Sequence, residues 1–263
     1  MNILDFKAKK QRSDKISMLT CYDYPSACTI AESNIDCVLV GDSVAMSVHG
    51  HESTITATIE MMTFHTAAVA RGLKKQFLIS DLPFLSHRIS RAETMKHVKQ
   101  LFQVGAQAIK LEGADDDVYQ TIDFLVNCGI PVMGHIGLTP QSIHQLGGYR
   151  IQGREDLTAK QLIQQAKNLE SAGCFALVVE CIPGSLAKTI TQTLSIPVIG
   201  IGSGVETDGQ VLVWHDMLGL QTSFMPSFVN RFIEGKAIFL QAIQEYVKQV
   251  NGMHFPAAEH TFN

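Results

Sequence analysis

Five apolar runs in this chain end on a group that the interior of a buried strand rejects. Val38-Leu39-Val40-Gly41-Asp42-Ser43, Phe77-Leu78-Ile79-Ser80-Asp81, Ala108-Ile109-Lys110-Leu111-Glu112 and Leu177-Val178-Val179-Glu180 each finish on or beside a carboxylate. Pro131-Val132-Met133-Gly134-His135 finishes on an imidazole. A strand buried on both faces takes Val, Ile and Leu, not acids. If such strands run parallel and their sheet closes, their C-termini converge on one end, where a (β/α)8 barrel keeps its chemistry. Three converging carboxylates with a fourth nearby point to a hard divalent cation and a general base.

The spacing of the runs supports that reading. Strand-like segments fall at 16–21, 36–41, 76–81, 108–112, 131–135, 175–180 and 197–202, with a weak eighth near 220–224. Helical patterns separate most of them, at 58–71, 90–104, 116–127, 158–172 and 184–194. Ser90 three residues before Glu93 has capping-box spacing, and Asp115 opens an acidic first turn. Alternating strand and helix favours a parallel sheet with helices outside it. The expected fold is α/β, a single (β/α)8 TIM-barrel domain over 1–263 with a C-terminal helical extension in 228–250. A doubly wound open sheet is the alternative. Two insertions, 45–58 and 137–156, each follow a strand C-terminus and would hang over the site as substrate-covering loops.

Composition narrows the partners. A net charge of −4 with 17% charged residues lacks the basic stripe of a nucleic-acid binder. No apolar run approaches the roughly 20 residues that cross a bilayer. Residues 1–15 are polar and lysine-rich, unlike a signal peptide. The six cysteines are scattered without a C-x-x-C pair, which fits a reduced, cytoplasmic protein better than a disulfide scaffold or a zinc site.

Within the strand ends, Lys110 and Glu112 are two apart and share a face. They are either a buried structural ion pair or a metal-facing acid with a lysine beside it for an anionic substrate. Asp42 and Asp81 could cap helices, but neither is followed at once by a helical pattern. His135 has small neighbours, Gly134 and Gly137, that let a ligand approach. Glu180, after Leu-Val-Val, sits in apolar company that suits a base for a weakly acidic proton; a solvated strand end is the plainer reading. Gly200-Ile201-Gly202-Ser203-Gly204 resembles a phosphate loop, but Glu206 and Asp208 would repel phosphate.

The ordered set of motifs resembles the ketopantoate hydroxymethyltransferase family nearly end to end. It comprises Thr20-Cys21-Tyr22-Asp23-Tyr24, Val40-Gly41-Asp42-Ser43, Gly50-His51-Glu52-Ser53-Thr54, His65-Thr66, Asp81-Leu82-Pro83-Phe84 and Lys110-Leu111-Glu112-Gly113 in the first half. In the second half it comprises Gly134 to Gln141, Gly147 to Gly153, Val179-Glu180-Cys181, the 200–204 loop and Asp208-Gly209-Gln210. Ala114 and Ser203 stand where family members often have glycine and alanine. The resemblance implies a (β/α)8 barrel with Mg2+ at Asp42, Asp81 and Glu112. It implies substrate contacts from Asp42, Ser43, Asp81, Lys110 and His135, with Glu180 as proton acceptor. The implied reaction moves a hydroxymethyl group from 5,10-methylenetetrahydrofolate to 3-methyl-2-oxobutanoate through a Mg-stabilised enolate, giving 2-dehydropantoate for pantothenate and coenzyme A synthesis. The implied assembly is a homo-oligomer, commonly a decamer. A barrel lyase of the isocitrate lyase and phosphoenolpyruvate mutase type is the nearest rival, but its Lys-Lys-Cys-Gly-like loop is missing. A non-catalytic metal-binding barrel is the other.

Overall fold

The computed structural model describes residues 1–221 and 226–262. The chain divides into two compact units, Met1–Val213 and Trp214–Asn263. The first is a closed barrel of eight parallel strands in chain order. They are β1 (Ile16–Thr20), β2 (Cys37–Val40), β3 (Phe77–Asp81), β4 (Ala108–Glu112), β5 (Val132–Gly137), β6 (Ala176–Glu180), β7 (Val198–Ile201) and β8 (Gly209–Leu212). β8 closes the ring against β1, with Met18 opposite Val211.

The eighth strand is not where the sequence suggested. The expected run near 220–224 falls beyond the barrel; Leu220 and Gln221 form no strand, and 222–224 lie outside the described residues. No helix separates β7 from β8. Seven extended residues reach ~23 Å, whereas a four-residue strand rises only ~13 Å, so residues 202–208 can return to the start of the barrel without one. Asp208 anchors the return: its carboxylate accepts from the Val198 N–H and pairs with Lys10 at 2.7 Å.

The helices of this unit are α1 (Ile3–Arg12), α2 (Tyr24–Ala31), α3 (Val44–Ser47), α4 (Ile59–Gly72), α5 (Arg91–Gln103), α6 (Asp116–Asn127), α7 (Ile143–Leu146), α8 (Asp156–Ser171) and α9 (Gly184–Thr193). Five start where side chains satisfy free N–H groups, with Asn2 capping α1 and Asp23 capping α2. Thr58 accepts from Met61, Ser90 from Glu93 and Asp115 from Val118. The Glu93 carboxylate, expected to complete a capping box, lies instead 3.4 Å from Lys96. The lysine-rich N-terminus is a helix, α1. It buries Phe6 edge-on against Phe77 and Phe175, with ring centroids 5.5 and 5.1 Å away. Burying one such side chain contributes about 1.5–3 kcal/mol.

Strand alternation explains why the barrel is apolar at one end and charged at the other. Inward positions recur every second residue. Ile16 and Met18, Cys37 and Leu39, Phe77 and Ile79, Ala108, Met133, Ala176 and Val178 form one buried cluster with Phe6. Continuing the β3, β4, β5 and β6 series by two residues reaches Asp81, Lys110 then Glu112, His135, and Glu180. Those three acids therefore belong to the interior set, displaced to the C-terminal end, whereas the β2 series reaches Gly41 and Asp42 stands one place past it. Parallel pairing then sets Asp81 beside Lys110, and Glu112 beside His135.

The second unit holds α10 (Trp214–Met217) and α11 (Gly235–Asn251). α11 exposes Ile238, Phe239, Leu240, Ile243, Tyr246 and Val247. No helix among the described residues is long and apolar enough to cross a membrane.

Candidate active site

The strand ends deliver six buried or nearly buried ionisable groups to one cluster. Asp42, Asp81, Lys110, Glu112 and His135 are between 2% and 5% exposed, and the Glu180 side chain is 16% exposed. They form a continuous chain of contacts. The Asp42 backbone N–H donates to Asp81 Oδ2 at 3.0 Å. Lys110 Nζ lies 2.9 Å from Asp81 Oδ1 and 3.7 Å from Glu112 Oε1. His135 Nδ1 is 3.2 Å from Glu112 Oε1, and its Nε2 is 3.3 Å from Glu180 Oε2. The latter is an ion-pair contact off the line of a good hydrogen bond, since Nε2 makes none. Ser43, next to Asp42, has its hydroxyl 2.8 Å from the Tyr22 hydroxyl.

Burial and neighbouring charge set the protonation states. Burial raises the Asp42 pKa well above the ordinary carboxylate value, and the charges of Asp81 and Glu112 push it the same way. Burial also raises Asp81, although Lys110 opposes the shift. Glu112 moves the other way: burial would raise it, but His135, Lys110 and the Gln141 N–H outweigh that and lower it. For His135, burial and Lys110 disfavour the charged ring, but Glu112 and Glu180 prevail and raise it to about 9. Lys110 is raised despite burial because Asp81, Glu112 and Asp42 surround it. The ring is thus an imidazolium at neutral pH, with Nδ1–H directed at Glu112. Lys110 Nζ, 3.5 Å from the same nitrogen, then has no acceptor there.

Four carboxylates face one ammonium and one imidazolium. The excess negative charge and the all-oxygen acids suit a hard divalent cation, with Asp81 Oδ1 shared with Lys110. Among the described residues no three His, Cys, Asp or Glu side chains form a ready-made cage.

Gln141 is a site residue whose role the sequence did not disclose. It is 6% exposed and follows Pro140 in the 137–156 insertion. Its side-chain amide donates to Asp42 Oδ2 at 2.9 Å and to the Leu82 carbonyl at 3.0 Å. Its backbone N–H donates to Glu112 Oε2 at 3.0 Å. One residue therefore orients two of the three expected metal acids. The only signal was its place in the Gly134–Gln141 motif. The 200–204 glycines lie against the neighbouring loop: Ser203 Oγ donates to the Val179 carbonyl at 2.9 Å, and Gly204 abuts Gly184.

A closed parallel barrel with acids, a lysine and an imidazole buried at its strand C-termini defines a (β/α)8-barrel enzyme. The family model for ketopantoate hydroxymethyltransferase matches residues 1–258. The chain is 69% identical to the 3-methyl-2-oxobutanoate hydroxymethyltransferase of Legionella pneumophila strain Paris, covering 100% of both chains. It is 49% identical to the enzyme of that name from Coxiella burnetii strain CbuG_Q212, over 98% of this chain and 97% of that one. The chain belongs to the ketopantoate hydroxymethyltransferase family and is a hydroxymethyltransferase. Solved structures share its fold at low identity. A phosphonopyruvate hydrolase in complex with oxalate and Mg++ has a TM-score of 0.64 at 9% identity, over 99% of this chain and 93% of that one. A phosphoenolpyruvate phosphomutase from Streptomyces platensis subsp. rosaceus has 0.64 at 10%, over 100% and 92%. The rival lyase reading thus meets a likeness of fold but not of family.

Proposed function

We propose that this enzyme transfers the one-carbon unit of 5,10-methylenetetrahydrofolate to 3-methyl-2-oxobutanoate, giving 2-dehydropantoate in pantothenate and coenzyme A synthesis. The observation that carries the reading is the contact chain from Asp42 to Glu180, with more carboxylates than cations. Asp42, Asp81 and Glu112 would hold Mg2+, which when bound polarises the keto oxygen and stabilises the enolate by several kcal/mol. Lys110, pinned by Asp81, pairs with the substrate carboxylate. Ser43, oriented by the Tyr22 hydroxyl, donates to the same end. Glu180 removes the C3 proton, and His135 Nε2, 3.3 Å from Glu180 Oε2, aims that carboxylate. Water opens the methylene bridge: both carbon–nitrogen bonds break, the water oxygen stays on the carbon and its two protons go to the two folate nitrogens. The C3 carbanion equivalent adds to that aldehyde-level carbon, and the resulting alkoxide takes the proton back from Glu180 as the product hydroxyl. The 45–58 and 137–156 loops shield the reacting carbon from bulk water.

Two further readings belong here. The exposed apolar residues of α11 support assembly into a homo-oligomer, with the decamer as the expected form. A family of small-molecule biosynthetic enzymes, with six cysteines all free, supports a cytoplasmic setting. The direct test of the reaction is product formation from the keto acid and the methylene donor, with and without Mg2+. Product that appears equally without the folate donor would overturn the one-carbon assignment.

A further inference from the structure

The 137–156 insertion and the start of α8 line an open cleft. Its volume is about 670 Å³, and Tyr149, Arg150, Ile151 and Arg154 are among its lining residues. That volume lies within the usual range for small-molecule sites. A five-carbon keto acid is far too small to fill it, and its place is deeper, at buried Lys110. The cleft adjoins the chemistry through the backbone. The Gln152 N–H donates to the carbonyl of Cys181, the residue after Glu180, at 2.9 Å. Tyr149 reaches across to the other loop, its hydroxyl 3.9 Å from Met46 Sδ. Burial raises the pKa of its phenol, and the charges of Glu180, Asp42 and Glu112 raise it further, as befits a ring that faces the acids.

The floor of the cleft is held in place. Gly153 has φ +73°, and a Cβ there would meet Leu186 Cδ2 at 2.5 Å and Leu162 Cδ1 at 2.8 Å. The segment is thus pressed against α8 and α9. Arg150 and Arg154, in the same segment, are exposed. Arg150 and Arg154 have no ion-pair partner among the described residues. Arg88 differs, being paired with Asp115 at 2.6 Å. One acid, Glu155, also lines the cleft, which leaves it net positive. The cleft therefore combines an aromatic and an aliphatic side chain, Tyr149 and Ile151, with two arginine forks.

We infer that this cleft binds the p-aminobenzoyl-glutamate arm of the folate co-substrate, with Tyr149 against the ring and Arg150 and Arg154 on the glutamate carboxylates. The inference rests on the folate reading proposed above. An apolar face for the ring and planar donor forks for carboxylates are what such an arm requires. Anchoring the arm here directs its one-carbon end toward Glu180.

The test uses the Arg150→Ala/Arg154→Ala double variant of the full chain, with circular dichroism to verify folding. Two donors are compared, methylenetetrahydrofolate and the corresponding pteroate, which lacks the glutamate. In the double variant KM for the folate donor should rise about ten-fold or more, the loss of one or two hydrogen bonds to charged groups. KM for the keto acid should stay within about two-fold, since the removed contacts are to the other substrate. The wild-type enzyme should prefer folate to pteroate by a similar factor, and the double variant should no longer discriminate. Isothermal titration with tetrahydrofolate alone should show the same loss of affinity. A double variant with wild-type KM for folate, or one that still discriminates against pteroate, overturns the site. A wild-type enzyme that neither binds tetrahydrofolate nor uses the donor removes the folate reading and this site with it. Misfolding is separated by Arg150→Lys and Arg154→Lys, which keep the charge and should lie between wild type and the double variant.

Discussion

At the scale of single residues, Gln141 joins two acids that the chain supplies from different strands. Gln141→Leu keeps its bulk but removes the amide that donates to Asp42 and Leu82. Losing a partner that orients metal ligands costs about 10–100-fold in affinity. Mn2+ binding followed by electron paramagnetic resonance should weaken by that factor; wild-type affinity would make Gln141 a loop-packing residue only. His135 offers a second check through pH. Its pKa is raised from 6.5 to about 9 in the folded protein. A raised value means that its stabilising contribution is full below the unfolded value and is lost as pH rises through the folded one. The stability gap between wild type and His135→Gln, measured by urea unfolding, should therefore shrink between pH 6.5 and about 9. A gap that widens with pH would show the ring to be neutral. The acids, Lys110 and His135 were legible in the sequence because a charged group at the end of an apolar run has no packing explanation. Gln141 was not, because a neutral amide in a polar loop looks like any surface residue until the fold brings it under Asp42.

At the scale of elements, the first seven strands and five main helices follow from alternation, capping residues and apolar periodicity. Among the elements that escaped are β8 and α1. β8 is four residues long and comes directly after a loop, whereas the repeating pattern called for a helix first. α1 buries only Phe6, so its pattern carries almost no amphipathic signal, yet it packs on the apolar end of the barrel. The β5 terminus shows how tightly an element end is specified. Gly137 has φ +94°, and a Cβ there would meet the Glu180 carbonyl oxygen and, at 2.9 Å, Ile182 Cγ2. Gly137→Ala should therefore displace the end of β6 and the base it carries. A strained position of this kind costs about 1–3 kcal/mol. The variant should lower kcat more than it raises the keto-acid KM, and a wild-type kcat would show that β6 tolerates the shift.

At the scale of the whole molecule, α11 exposes Ile238, Phe239, Leu240, Ile243 and Val247 along its length. Contiguous apolar surface of this extent marks an interaction site. Repeated head-to-tail contacts close into rings. Light scattering at micromolar concentration should give a mass several times 28.9 kDa, with ten subunits as the expected form, and a mass near 28.9 kDa would contradict assembly. The central claim is nonetheless chemical: a buried acid cluster and Glu180 turn a 2-oxo acid into a carbon nucleophile. Deuterium exchange at C3 of 3-methyl-2-oxobutanoate, followed by proton NMR without folate, tests it most directly. The wild-type enzyme with Mg2+ should exchange the C3 proton. Exchange should stop after exhaustive chelation, and should fall about 10²–10⁴-fold in Glu180→Gln, as loss of a general base requires. Undiminished exchange in chelated wild type or in Glu180→Gln would contradict the account.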